Sequence, residues 1–385
     1  MGDYSQFILP ERRPRPAPKS LVGPRGSGIF GSFDFEIADL SNLTKLNHPT
    51  RLPNFCNRFR LTLWEAAEVH LRHGVLLTAV SDMGFFGKIL TIFYDKRTHQ
   101  TYCWDTTLGH SKTKIAPHLL NGAVSEAHTP VSRVKFVNYF DKSRARLKGR
   151  QRGKCLVTKP NPRLTAVEAR SENATQANIE YDFTLQRLSL PSVASIPFDS
   201  RRPRLLYSQK DFFKASGTLS INGEQMRTDE DSTAIIDDHR GYYPRRSHYD
   251  WLTTLGRYDL GGGERGYLAF NLTHNQSIDP SRFSENQLWL EGRSSLLPPV
   301  KFVKSIPTAE FRDRALWEVS DEYDMVNLKF EVQSLHPMVM HAWPAVMIDY
   351  FVTFGTLAGY VRDEDGRRYD LDGCLGMGED KSLLF

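Results

Sequence analysis

Asn178-Ile-Glu-Tyr-Asp-Phe-Thr-Leu-Gln-Arg-Leu188 alternates apolar Ile179, Tyr181, Phe183 and Leu185 with polar Glu180, Asp182, Thr184 and Gln186. A period of two marks a strand with one buried and one wet face, because successive side chains leave a pleated backbone on opposite sides. Upstream, Phe59, Leu61 and Leu63 alternate with Arg58, Arg60 and Thr62, residues 75–80 are largely apolar, and residues 89–94 turn through 95–99 onto Tyr102-Cys-Trp104 as a hairpin. Residues 64–73 have helical propensity, but strands on both sides place them in the sheet. Downstream, residues 215–222 with the turn Asn222-Gly223, then 233–237, 266–273, 287–290, 328–332, 345–355 and 357–362, repeat the pattern. Many short antiparallel strands joined by Gly, Pro and Asn turns specify an all-β fold of two consecutive barrels or sandwiches, with few helices.

A chain of 385 residues favours two domains. Pro191, Pro197 and Pro203 mark a boundary, giving an N-terminal β-barrel over 29–195 and a C-terminal one over 196–385. Residues 1–28 set Pro10, Pro14, Pro16, Pro18 and Pro24 among Arg12, Arg13, Arg15, Lys19 and Arg25, the composition of a disordered basic tail. The first strand then begins, with Phe33 and Phe35 on one face.

With 40% apolar and 25% charged residues the composition is that of an ordinary globular protein, and a net charge of +5 is too small to make the whole molecule a nucleic-acid binder. The four cysteines are far apart in sequence and read as reduced thiols. No signal-like or membrane-spanning apolar run is present, so the expectation is a soluble intracellular protein, cytoplasmic or attached to a cytoskeletal or organellar assembly. One local cluster stands out. Arg144, Arg146, Lys148, Arg150 and Arg152 occupy every second position, so a strand would put all five on one face. Such a stripe is either a solvated surface or a contact for an acidic protein or an anionic membrane. It has too few aromatics for specific nucleic-acid binding.

The densest chemistry lies in Ala234-Ile-Ile-Asp-Asp-His-Arg-Gly-Tyr-Tyr-Pro-Arg-Arg-Ser-His-Tyr-Asp-Trp251. Asp238 facing an apolar cavity with Tyr243, Asp250 or Glu285 would have a raised pKa and could protonate an alkene. Adjacent strand residues point to opposite sides, so Asp238 and His239 cannot share a pocket without a bulge. The candidate catalytic set is therefore Asp238, His239, Tyr243 and Glu285, and the candidate ligand-binding set is Tyr242, Asp250, Trp251, Tyr267 and Trp289. The structural alternative has Asp237 or Asp238 bonding a turn, with Arg240, Arg245 and Arg246 paired to Asp250 and Glu285 across strands. His70-x-x-His73 and residues 336–341 lack a third ligand, so no metal site is expected. Nucleophile elbow, phosphate loop and dinucleotide fingerprint are absent, and Gly261-Gly-Gly-Glu-Arg-Gly266 reads as a hairpin turn, so no cofactor is expected.

Arg201-Arg-Pro-Arg-Leu-Leu-Tyr-Ser-Gln-Lys210, Ala215-Ser-Gly-Thr218, Asp237-Asp-His-Arg-Gly-Tyr-Tyr-Pro-Arg-Arg246 with Trp251, Phe270-Asn-Leu272, Ser284-Glu-Asn-Gln-Leu-Trp-Leu-Glu-Gly292 and Gly373-Cys-Leu-Gly-Met-Gly-Glu379 resemble the domain of unknown function 2804 family. Weaker similarity runs back to Trp64-Glu65. That family is similar in turn to lipocalin-like carotenoid hydratases, fungal Diels-Alderases and two-lobed lipid-binding survival factors. The resemblance implies paired β-barrels with an apolar pocket between or inside them, and no established activity. Arg240, Tyr242 and Tyr243 fit the family pattern, whereas His239 and the basic run 142–154 depart from it. Three readings follow, in this order: a binder of a hydrophobic small molecule such as a lipid or isoprenoid; a cofactor-free isomerase, cyclase or hydratase on the same scaffold; and a structural subunit docked by its basic tail and stripe to a larger acidic assembly. An apolar cavity favours the first two, polar side chains converging in it favour the second, and a filled barrel favours the third.

Overall fold

The structure, a computed structural model, describes residues 5–158, 174–261, 263, 265–305, 315–342 and 346–384. Residues 1–4 of the tail, Gly262 and Glu264 of the glycine-rich turn, and Ala345 lie outside them. The described residues form two antiparallel sheets, one of fourteen strands between Gly31 and Gly241 and one of ten between Arg246 and Leu384. The fold is all-β, as the strand periodicity predicts; among the described residues the single α-helix is the turn Asn57–Arg60.

Eight strands of the first sheet close into a barrel. They are Thr62–Leu71, Gly74–Asp82, Phe86–Asp95, Gln100–Gly109, Arg144–Thr158, Ala174–Arg187, Leu205–Ile221 and Thr233–Gly241, each paired to the next and the last to the first. Closure leaves these strands no free edge. The interior is packed: Val69, Leu76, Phe93, Leu147, Phe183, Phe213 and Ile236 all belong to one buried cluster. Gly149 stands opposite Tyr181, where a Cβ would meet the tyrosine ring at 2.0 Å, so the glycine makes room for that inward ring. Asn222 and Gly223, at φ 49° and 90°, form the tight turn that their sequence signals. The second sheet is open. Its terminal strands Arg293–Leu296 and Lys301–Ser305 do not pair with each other, and one of its faces buries Leu252, Phe270, Trp317 and Phe330.

The other face of the second sheet lies against the outside of the barrel. Leu77, Ile92 and Tyr94 of the barrel meet Trp251, Tyr350, Val352, Phe354 and Met377, and the rings of Tyr94 and Phe354 stack at 4.8 Å. This covering explains the ambiguous run 64–73. The strand Thr62–Leu71 is buried on both faces over most of its length, so it loses the alternation that a half-wet strand displays.

Three expectations need correction. The boundary placed at 191–203 falls inside the first sheet, because Ser192–Pro197 and Leu205–Ile221 are paired strands of it; the chain passes between sheets at 241–246. The prolines mark a sheet-edge connection. The disordered basic tail is contradicted for residues 5–28: Phe7 and Ile8 join the core of the second sheet, and the fully buried Arg12 donates to the carbonyls of Asn286 and Leu297 at 3.1 and 3.0 Å. Proline-rich extended backbone favours a solvated segment, but here its apolar and cationic side chains reach sockets on a sheet far away in sequence. Finally, Phe33 is buried and Phe35 exposed, because the first strand, Gly31–Phe33, stops before Phe35.

Candidate functional site

Between barrel and open sheet lies a cavity of about 380 Å³. Each contributing strand turns alternate residues into it: Trp64, Ala66 and Glu68; Leu77, Ala79 and Ser81; Asp237 and His239; Glu379, Lys381 and Leu383. Trp251, Met338, Met340, Ile348 and Tyr350 complete the far wall. The lining is mostly apolar; besides Glu68 and Lys88, its ionisable side chains gather at two places.

The first group belongs to the barrel and to the segment preceding the strand Gln287–Leu290. The Lys210 ammonium donates to Asp237 at 2.8 Å and lies 3.2 Å from Glu285. His239 Nε2 lies 2.9 Å from Lys210 Nζ, 2.9 Å from Ser208 Oγ, 3.1 Å from Asp237 and 3.2 Å from Glu285. Ser208 also donates to Glu285, and the Tyr243 hydroxyl is 3.4 Å from His239 Nδ1. Burial alone would lower the Lys210 pKa, but Asp237 and Glu285 hold it above its ordinary value. Burial would likewise raise Glu285, yet Lys210 and His239 hold its carboxyl well below the usual range. Lys210 and Glu285 are thus a fixed ion pair at neutral pH, and His239 sits in its field.

The second group comes from the open sheet. Tyr350 and Tyr249 donate to the two oxygens of Glu379, at 2.5 and 3.1 Å. The Lys381 ammonium lies over the rings of Tyr350, Trp64 and Tyr249, at 4.5, 5.5 and 5.6 Å from their centres. Burial raises the Glu379 carboxyl and lowers Lys381 to about 8, against a smaller upward pull from Glu379. Trp64 links the groups, since its other neighbours are the rings of His239 at 4.9 Å and Tyr243 at 5.5 Å. On the same strand as Trp64, Glu68 is pushed well above its ordinary pKa by burial and then by Glu379 and Asp237, and it meets His70 at 2.6 Å. An apolar chamber flanked by raised carboxyls, a histidine and a desolvated lysine is suited to holding an apolar molecule and moving protons on it.

Of the expected catalytic residues, His239, Tyr243 and Glu285 come together here and Asp238 does not. Asp238 points into the barrel, where both its oxygens accept from Arg240 at 2.7 and 2.8 Å. The place foreseen for it in the cavity is taken by its neighbour Asp237. Of the expected ligand-binding residues only Trp251 lines the cavity. Tyr242 is buried in a separate cluster, its hydroxyl on the Leu43 carbonyl. Tyr267 and Trp289 pack together in a core patch and donate to the carbonyls of Glu230 and Leu190. Asp250 belongs to a rim cluster with His248 and Asp380, into which Lys304 reaches, 2.7 Å from Asp380, so an ammonium already neutralises those carboxylates. Arg144, Arg146, Lys148 and Arg152 are exposed on one face of their strand with Arg150 partly so, and Asp182 pairs with Arg146 and Lys148.

Sequence pattern does not single out Trp64, Glu68, Lys210, Tyr249, Tyr350, Glu379 and Lys381, all of which line the cavity. The strand ending Met377-Gly-Glu-Asp-Lys-Ser-Leu383 carried the available signal, a carboxylate and an amine in line with Met377 and Leu383 at a period of two.

Among solved structures the chain is similar to kievitone hydratase from Nectria haematococca, 12% identical over 84% of this chain and 88% of that one, with a TM-score of 0.43. It is also similar to the AttH-assigned protein of Nitrosomonas europaea, 13% identical over 84% and 93%, at 0.46, and to CghA in complex with Sch210972, 12% identical over 94% and 97%, at 0.37. No curated protein matches the chain significantly. The model of the domain of unknown function DUF2804 matches residues 24–385, and the chain belongs to that family.

Proposed function

We propose that the protein binds a mainly apolar small molecule, of lipid or isoprenoid character, between its two sheets and isomerises, cyclises or hydrates it by proton transfer. One observation carries this reading: the apolar cavity is flanked by the Lys210–Asp237–His239–Glu285 cluster and by Glu379 and Lys381. A passive carrier needs the apolar walls but gains nothing from six ionisable groups, of which Lys210, His239, Glu285 and Glu379 are buried and Asp237 and Lys381 partly so, since burying each costs desolvation energy. In this scheme Glu379, raised by burial and held in place by hydrogen bonds from Tyr249 and Tyr350, donates a proton to the bound molecule, and His239, oriented by Tyr243 and the ion pair, accepts one. The filled barrel, which favoured a structural subunit, is not where the ligand goes. The exposed face bearing Arg144 to Arg152 supports a contact with an acidic protein or anionic membrane beside this function.

Native mass spectrometry after incubation with a cellular lipid extract tests the reading. A bound mass of defined composition is expected, and in D₂O the wild type is expected to exchange or convert it while H239Q and E379Q bind it unchanged. Binding with no exchange or conversion by the wild type would leave a carrier; no binding at all would sink the proposal.

A further inference from the structure

We propose that Lys381 is a carbonyl-capturing residue, its amine forming a Schiff base with an apolar aldehyde or ketone lodged in the cavity. This rests on the reading that the cavity holds an apolar molecule.

Three lysines line the cavity, and they differ in what holds them. Lys88 is paired with Asp105 at 2.8 Å, and Lys210 is fixed by two carboxylates. Lys381 has no hydrogen-bond acceptor and no carboxylate at ion-pair distance among the described residues; it touches only the faces of three aromatic rings. Aromatic faces attract the ammonium but place no hydrogen bond on the neutral amine, whose lone pair stays free. With its pKa near 8, roughly 300 times more of it is neutral at pH 7 than of an ordinary surface lysine. Leu77, Ala79, Leu90, Met338 and Ile348 provide apolar walls around the amine, with Met340 at the exposed side.

The acid needed for dehydration stands on the same strand face, two residues away, in Glu379. The amine lone pair attacks the carbonyl carbon, and an N–H proton passes to oxygen to give the carbinolamine. Glu379, whose carboxyl burial raises, when it carries a proton gives it to the departing hydroxyl, the C–O bond breaks, and water leaves. The products are an iminium on Lys381, the Glu379 carboxylate as its counter-ion, and one water. A lysine activated by desolvation instead of a neighbouring base is an established route to such chemistry.

The test uses decanal with sodium cyanoborohydride, which reduces the imine to a stable amine, and decanol as a ligand that cannot condense. Wild type, K381R and K381M are treated between pH 7 and 9 and mapped by peptide mass spectrometry, and decanol binding is followed by the fluorescence of Trp64 and Trp251. The expected result is one saturable adduct at Lys381, competed by decanol, forming about tenfold or more faster than at any other lysine and faster as pH rises through 8. Adducts spread over surface lysines and unchanged in K381R would overturn the proposal. If decanol binds but no adduct forms at Lys381, the Schiff base fails while the binding site stands; if decanol does not bind and Lys381 is not labelled, both fail. Mapping of the wild type alone decides the matter should either variant misfold.

Discussion

Asp238 and His239 are chain neighbours on opposite sides of the barrel wall, the first paired with Arg240 inside the barrel and the second facing the cavity. Their substitutions separate stability from function. Asp238→Ala leaves the buried Arg240 without its partner and is expected to cost about 3–5 kcal/mol. His239→Gln, which retains one hydrogen-bonding group, is expected to cost about 1 kcal/mol and to abolish conversion of the bound molecule. Denaturant unfolding of both variants checks this, and equal losses would contradict the assignment of faces.

Glu65 shares the barrel interior with that pair. It accepts from Asn138 at 2.8 Å, and burial, then the charge of Asp238, push its carboxyl up to about 8. Between the unfolded value near 4.3 and 8, the native state holds a proton that the unfolded state has released, so stability falls as pH rises through that window. The slope from this group is about 1.4 kcal/mol per pH unit. Glu65→Gln is expected to flatten the curve, matching the wild type near pH 4 and exceeding it at pH 8. Parallel curves for the two proteins would show that Glu65 is ionised in the fold.

The tail gives a direct contrast between sequence and structure. A disordered segment can be removed without loss, whereas deletion of residues 1–13 strips Phe7 and Ile8 from the core and leaves the Asn286 and Leu297 carbonyls without Arg12. Burial of two large apolar side chains and two hydrogen bonds predicts a loss of several kcal/mol, at about 1.5–3 kcal/mol per side chain and about 1 kcal/mol per bond. An unchanged melting temperature would restore the disordered reading.

Period-two patterns made the barrel legible in the strand Ala174–Arg187 because one of its faces is core and the other water. The same rule placed Asp238 and His239 on opposite sides but not which side was which, since the strand Thr233–Gly241 is buried almost throughout and offers no wet face for orientation. The site was half legible for a related reason. His239, Tyr243 and Glu285 lie in or near one dense run, whereas Lys381 and Glu379 enter from the last strand, more than ninety residues beyond Glu285, through a sheet-on-sheet contact that leaves no mark in local periodicity.

Lys381 offers a final check on the electrostatics of the cavity, independent of any ligand. Burial lowers its ammonium to about 8, below the ordinary lysine value near 10.4. Below pH 8 both states are protonated, and the fold bears the full desolvation penalty of the charge. Between 8 and about 10.4 the native amine is neutral while the unfolded one still binds its proton, so this group makes stability rise with pH. Lys381→Met removes the charge and keeps most of the length, so it is expected to be more stable than the wild type at pH 7, with the advantage shrinking toward pH 10. Unfolding curves at pH 7, 8.5 and 10 measure it. A constant or growing difference would mean that Lys381 is solvated in the native protein, and the aromatic cage around it would then have no hold on its protonation.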